Sequence, residues 1–241
     1  MSRTCIIKTG TTLASLRPTH GDYDAWIAAG LGCAPETVDV VDVQAGETLP
    51  DPASPAAVVV TGSAAKVSDR EGWSELTADW LREVVAGGVP TLGICYGHQL
   101  LAHALGGRVG ANPRGREIGT VEVRFEPAAA LDPLFSVLPR PTRFHATHVE
   151  TVLALPDGAE RFAESDLDAC QAFRVGEASW GVQFHPEFDA TAIRTYLDER
   201  RAILADEGLD ADALLARVVE TPSGPRLLER FAELIDAQET S

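Results

Sequence analysis

Hydrophobic residues in the N-terminal half of the chain fall into two kinds of run: short unbroken ones, and longer ones spaced three and four apart. Cys5-Ile6-Ile7 ahead of Lys8 predicts a first strand, Val38, Val40, Val41 and Val43 a second, and Val58-Val59-Val60 within Ala56 to Thr61 a third that ends in Gly62-Ser63. Between the first two, Asp22 is placed to cap a helix through Trp26, Ile27 and Ala28 that stops at Gly30 to Gly32. Prolines mark Leu49 to Pro55 as a loop, and Trp73 to Val85 predicts an amphipathic helix ending at Gly87-Gly88. Leu92 and Ile94 then fit a strand buried on both faces, and Leu100, Leu101, Ala104 and Leu105 recur at helical spacing up to Gly106-Gly107. This order of strands and helices predicts a single α/β domain with a mixed, mainly parallel sheet covered on both faces. Such a sheet offers an active site at the carboxyl ends of its strands.

Beyond Gly107 the pattern changes to an antiparallel one. Arg108 to Gly110, Ile118 to Phe125 and Thr142 to Leu155 read as strands, with a short helix from Leu131 to Leu138 between them. Ala169 to Val175 and Ser179 to Phe184 read as a hairpin turning at Gly176-Glu177. Helical spacing returns over 190–204, 211–219 and 227–237. The last of these carries an apolar stripe, Leu227, Leu228, Phe231, Leu234 and Ile235, better suited to covering the sheet than to docking a partner.

Composition narrows the function classes. Twenty basic against 36 acidic residues give a net charge of −16, which disfavours nucleic acid and anionic membranes as partners. Only Lys8 and Lys66 are lysines, a shortage that suits a salt-rich cytoplasm and the codon bias of a GC-rich genome equally well. No apolar run approaches a membrane span, and Met1 to Lys8 shows neither the apolar core nor the cleavage site of a secretory leader. Four cysteines (Cys5, Cys33, Cys95, Cys170) lie scattered with no C-x-x-C pair, which points to a reducing cytoplasm and to neither a disulfide framework nor a zinc site.

The candidate chemistry sits where the fourth strand meets its helix. Gly93-Ile94-Cys95-Tyr96-Gly97 is a small-x-nucleophile-x-small pattern with Cys in the nucleophile position. A nucleophile held in a strained turn needs neighbours with little side chain, and a helix N-terminus favours its thiolate and a developing oxyanion. A buried structural thiol is the commoner fate of a lone cysteine; the two flanking glycines weigh against it. Far downstream, Ser179 to Phe184 is a strand that runs into His185-Pro186-Glu187. Pro186 keeps His185 extended, and Glu187, two residues on, can turn back on the ring to orient it. Cys95, His185 and Glu187 thus supply an attacking thiolate, a proton shuttle and an orienter. His145 and His148 are three apart on a strand, hence on opposite faces, and no third ligand stands near, so no metal is expected there.

Gly-Ile-Cys-Tyr-Gly-His-Gln-Leu-Leu-Ala-His-Ala-Leu-Gly-Gly (93–107) together with Gly-Val-Gln-Phe-His-Pro-Glu-Phe (181–188) resembles the class I (triad) glutamine amidotransferases, in the flavour of the glutaminase domain of GMP synthase and its free-standing relatives. The resemblance covers roughly residues 5 to 190. It implies a flavodoxin-like domain over 1–241, with a core of roughly 5–190 and a helical extension over 190–241. It also implies hydrolysis of the glutamine side-chain amide through a γ-glutamyl thioester, with no metal or organic cofactor. By the same resemblance the amides of Gly62 and Tyr96 form the oxyanion hole, although this chain has Gly62-Ser63 where many relatives have Gly-Gly. Gln99 matches a glutamine whose amide contacts substrate, a position that a plain polar helix-face residue also fills, and Val149 and Glu150 match a segment that touches the amino-acid end of glutamine, largely through backbone. No Gly-rich phosphate loop appears in the remaining length, so the ammonia is expected to pass to a synthetase on a separate chain. Two other readings stay open: a stand-alone hydrolase of γ-glutamyl amides or peptides, and an inactive binding module, against which the intact Cys95, His185 and Glu187 argue.

Overall fold

Nine strands form the main sheet, and its two halves are built differently. The computed structural model describes residues 3–239; Met1 and Ser2, part of the segment read above for a leader, and Thr240 and Ser241 lie outside the described residues. The chain begins with β1 (Thr4–Lys8), the short α1 (Arg17–His20), α2 (Tyr23–Gly30), β2 (Val38–Asp42) and β3 (Ala57–Val60). It continues through α3 (Gly72–Ala86), β4 (Thr91–Ile94), α4 (Tyr96–Ala104), β5 (Arg108–Ala111), β6 (Glu117–Phe125) and β7 (Thr142–His148). Then come β8 (Glu150–Ala154), β9 (Ala159–Glu164), β10 (Ala172–Val175) and β11 (Ser179–Val182), followed by α5 (Ala190–Glu199), α6 (Arg201–Asp206), α7 (Ala211–Leu215) and α8 (Ser223–Glu239).

The strand order is β2-β1-β3-β4-β11-β10-β9-β6-β7. From β2 to β11 every pairing is parallel, and from β11 to β7 every pairing is antiparallel. In the parallel half Ile6, Val59, Leu92 and Trp180 lie in one cross-strand row. That row is sealed by α2 and by Leu227, Leu228, Phe231 and Ile235 of α8. On the opposite face Ile7, Val58 and Val60 pack under Leu81 and Val84 of α3 and Leu100 of α4. Both faces are therefore dry, which explains the unbroken apolar runs of these strands.

The antiparallel half continues the same sheet, and only β5 and β8 form a separate two-stranded piece. At its far edge β7 bends back: His145 bridges His185, whose amide donates to the His145 carbonyl at 2.8 Å. The segment after β11 is thus held between the last parallel strand and β7. The sequence pattern did not indicate β9 or α1. The helix expected over Leu131 to Leu138 is instead a pair of 3₁₀ turns, Pro127–Ala130 and Phe135–Val137. Pro133 disfavours helical backbone at Asp132, and the Asp132 carboxylate accepts from the amides of Leu134 (2.9 Å) and Phe135 (3.0 Å), capping the second turn. The helix expected over 190–204 is interrupted at Arg200 (φ −97°, ψ 8°), and that over 211–219 ends at Leu215.

The stripe on α8 acts as cover. Phe231 is fully buried, edge-on to Trp180 with ring centroids 6.1 Å apart. Phe231→Ala is expected to cost about 3–5 kcal/mol, because it removes an aromatic ring and leaves a cavity over the parallel strands. The urea unfolding midpoint measures this; a loss below about 1 kcal/mol would mean that α8 contributes little to the core.

Candidate active site

β4 delivers its last residue, Ile94, directly into a backbone conformation that L-residues avoid. Cys95 has φ 52° and ψ −99°, and α4 begins at the next residue. Only two small neighbours make this turn possible. A Cβ on Gly93 would lie 2.4 Å from the Gly97 carbonyl oxygen, and one on Gly97 would lie 2.4 Å from the Val60 carbonyl oxygen. The strain lifts the thiol off the sheet, toward the residues that follow β3 and β11. Its sulfur lies 3.9 Å from the Thr147 carbonyl oxygen.

His185 comes from the adjacent strand, since β11 pairs with β4 in the register Gly181–Gly93 and Val182–Ile94. Its Nδ1 donates to Glu187 Oε1 at 2.7 Å, and the ring stacks on Phe188 at a centroid distance of 4.0 Å. With Nδ1 engaged, Nε2 has no hydrogen-bond partner among the described residues. A Cβ built on Gly62 would fall 2.9 Å from His185 Cε1 and 3.8 Å from Cys95 Cβ, so thiol, imidazole and the loop after β3 converge on one point. Burial pushes the Cys95 thiol up, but the charge of His185 and a hydrogen bond from it outweigh burial and leave the thiol below its usual range. Burial lowers His185; Glu187 and Cys95 more than reverse this and raise it to about 10. The two shifts describe one thing, a thiolate–imidazolium pair braced by Glu187.

Cys95, Tyr96 and Gln99 line a cleft of ≈ 250 Å³, walled by Thr147, His148, Val149 and Glu150. Gln99 Nε2 donates to the Glu150 carbonyl (2.8 Å) and to Gln183 Oε1 (2.9 Å), which fixes the amide orientation and leaves its oxygen uncommitted. The Glu150 carboxylate accepts from the amide (3.3 Å) and hydroxyl of Ser68, tying the cleft wall to the turn after β3. The Val149 carbonyl accepts from Asn112 N at 2.9 Å. Tyr96 turns its ring away, stacking on Trp73 and sharing a 2.6 Å hydrogen bond with Ser74, so only its backbone faces the thiol. Among the described residues, neither the Gly62 nor the Tyr96 amide donates to a backbone carbonyl.

Two features had no clear signal in the sequence. One is a buried charge network behind the cleft wall. His148 Nε2 donates to Glu117 Oε2 (3.0 Å) and Nδ1 to the Glu150 carbonyl (2.9 Å). Both partners are acceptors, so the ring carries both protons, and Glu117 and Asp168 offset the burial that works against that charge. Glu117 and His148 are cross-strand partners on β6 and β7, a pairing invisible before the register is known. The other is Arg200, at the break between α5 and α6, which reaches the cleft from outside the sheet.

Comparison with known proteins agrees with this arrangement. The family model described as glutamine amidotransferase class-I matches residues 20–203. The glutamine-hydrolysing component of the GMP synthase of Halobacterium salinarum is 42% identical over 109 residues, 44% of this chain and 57% of that protein. Its counterpart from Archaeoglobus fulgidus is 41% identical over 120 residues, 49% of this chain and 60% of that protein. The matched segments thus span a little over half the length of these relatives. A glutamine amidotransferase structure from Thermotoga maritima superposes with a TM-score of 0.77 at 23% identity, covering 98% of both chains, a likeness of fold. On the extent of the family match, this chain belongs to the class I glutamine amidotransferases.

Proposed function

We propose that this chain hydrolyses the side-chain amide of glutamine with Cys95 as nucleophile, His185 as proton carrier and Glu187 as its orienter. The Cys95 thiolate attacks the amide carbon, and the carbonyl oxygen becomes an oxyanion at the free amides of Gly62 and Tyr96. His185 protonates the departing nitrogen, the C–N bond breaks, and ammonia leaves a γ-glutamyl thioester. The now neutral imidazole then takes a proton from water, which attacks the thioester and releases glutamate and the thiolate. The Gln99 oxygen is set to accept from the substrate amide, with Val149 and Glu150 shaping the wall around the amino-acid end. No step calls on a metal or organic cofactor. Likeness to the glutamine-hydrolysing components of GMP synthases supports delivery of the ammonia to a synthetase on another chain. The four free thiols suit a reducing cytoplasm, and no helix among the described residues is long and apolar enough to cross a membrane.

The observation that carries this reading is the strained thiol (φ 52°) beside an imidazole braced at 2.7 Å by a buried carboxylate. Ammonia release from L-glutamine and labelling of Cys95 by a glutamine-analogue electrophile test it. The expected results are turnover, raised by a synthetase partner, and stoichiometric labelling of Cys95. Cleavage of γ-glutamyl amides with little glutamine turnover would indicate the stand-alone hydrolase instead, and no labelling of Cys95 at all would sink the catalytic reading.

A further inference from the structure

Resting on the glutaminase reading, we infer that Arg200, backed by Arg116, anchors the α-carboxylate of the substrate, so that the cleft selects glutamine bearing a free carboxylate at its far end. The protein is strongly acidic, with a net charge of −16, yet its cleft is rimmed by Lys66, Arg116 and Arg200. The acids nearby are already committed. The Glu150 carboxylate is held by Ser68, and Glu207 is gripped by both arms of the Arg116 fork at 2.7 and 2.9 Å. One carboxylate therefore serves two neighbouring guanidiniums, and the surplus positive charge falls on Arg200.

Arg200 is held in place without being neutralised. Its Nη1 donates to Thr147 Oγ1 at 2.5 Å, and its guanidinium lies over the Tyr196 ring, 4.7 Å from the centroid. No carboxylate among the described residues comes within ion-pair distance of it. Burial, together with the Arg116 charge, works against its own charge, the position of a cation that lacks a partner. A guanidinium is the side chain suited to two-point recognition of a carboxylate.

The spacing fits the substrate. Thr147 links the two ends of the site: its carbonyl oxygen lies 3.9 Å from the Cys95 sulfur and its hydroxyl 2.5 Å from Arg200 Nη1. Four carbon–carbon bonds separate the amide carbon of glutamine from its carboxylate carbon, about 5 Å when extended. With the amide at Cys95, the carboxylate reaches the guanidinium. Arg116 is already neutralised by Glu207, and Lys66 is exposed, so Arg200 is the member of the three that a carboxylate would complete.

The test compares L-glutamine with its α-amide, which keeps the γ-amide and the α-ammonium but has no carboxylate. Wild type, Arg200→Gln and Arg200→Lys are assayed for kcat and KM on both, with the γ-hydrolysis product of each quantified. Protection of Cys95 from iodoacetamide by each compound gives the same preference independently of turnover. Wild type is expected to prefer glutamine by about 10- to 100-fold, the worth of a hydrogen-bonded charge pair. Arg200→Gln should erase that preference by raising KM for glutamine while leaving the α-amide within about twofold of wild type, and Arg200→Lys should recover part of it. An Arg200→Gln enzyme that keeps the preference, or one that loses both substrates equally, overturns the assignment while the glutaminase reading stands. A wild-type protein that neither hydrolyses glutamine nor is protected by it overturns both.

Discussion

Cys95→Ala is expected to lower glutamine hydrolysis by about four to six orders of magnitude, the scale seen when the nucleophile of a cooperating triad is removed. Ammonia release in the presence of partner synthetase, where the wild-type rate is highest, measures it, and activity within tenfold of wild type would exclude a thioester at Cys95. The same position carries a second expectation of opposite sign. A non-glycine residue at φ 52°, ψ −99° stores about 1–3 kcal/mol of backbone strain. Alanine keeps the Cβ and the strain, whereas glycine relieves it and gives back only about 0.5–1 kcal/mol in chain entropy. Cys95→Gly should therefore unfold a few degrees above Cys95→Ala, by about 2–4 °C per kcal/mol for a chain of this size. Equal melting temperatures for the two variants would mean that the turn stores no strain, and the elbow geometry would lose its physical basis.

What was legible in the sequence was whatever a local rule controls. The elbow was legible because a strained Cys95 forces glycine at 93 and 97, and crowding at those two positions is what the structure displays. The brace on His185 was legible because Pro186 holds the backbone extended and sets Glu187 on the same side. The cover by α8 was legible in its apolar stripe. What depended on pairing was not. Nothing local says that β11 inserts beside β4 and so brings His185 to Cys95; only the family resemblance implied it. Ala159 to Glu164 reads Ala-Glu-Arg-Phe-Ala-Glu, poor in β-branched residues, and becomes a strand because β10 and β6 flank it. Glu117 and His148 meet only through the β6–β7 register, and Arg200 enters the cleft only because its helix breaks there. Pro133 was the one local signal misread, since it forbids the helix that the apolar spacing of 131–138 invites.

The second large effect concerns the charge of Glu187 more than its shape. Glu187→Gln preserves size and a hydrogen-bonding oxygen for His185 Nδ1 but removes the negative charge that, against burial, does most to raise His185 to about 10. Two shifts follow, with definite signs. The imidazolium loses its proton at lower pH, so the alkaline limb of the kcat/KM profile moves down. With less imidazolium present, the burial that opposes the Cys95 thiolate is no longer outweighed, so the thiol rises and the acid limb moves up. The active thiolate–imidazolium form is thus squeezed from both sides, and kcat/KM near neutrality should fall by about 10²- to 10⁴-fold. A pH–rate profile of the free enzyme reads both limbs, as apparent values belonging to the pair. A rate loss of that size with neither limb displaced would assign Glu187 to holding the ring in place and deny it the electrostatic role. Displaced limbs with a rate restored at the narrowed optimum would show that its charge acts mainly by keeping the proton on His185.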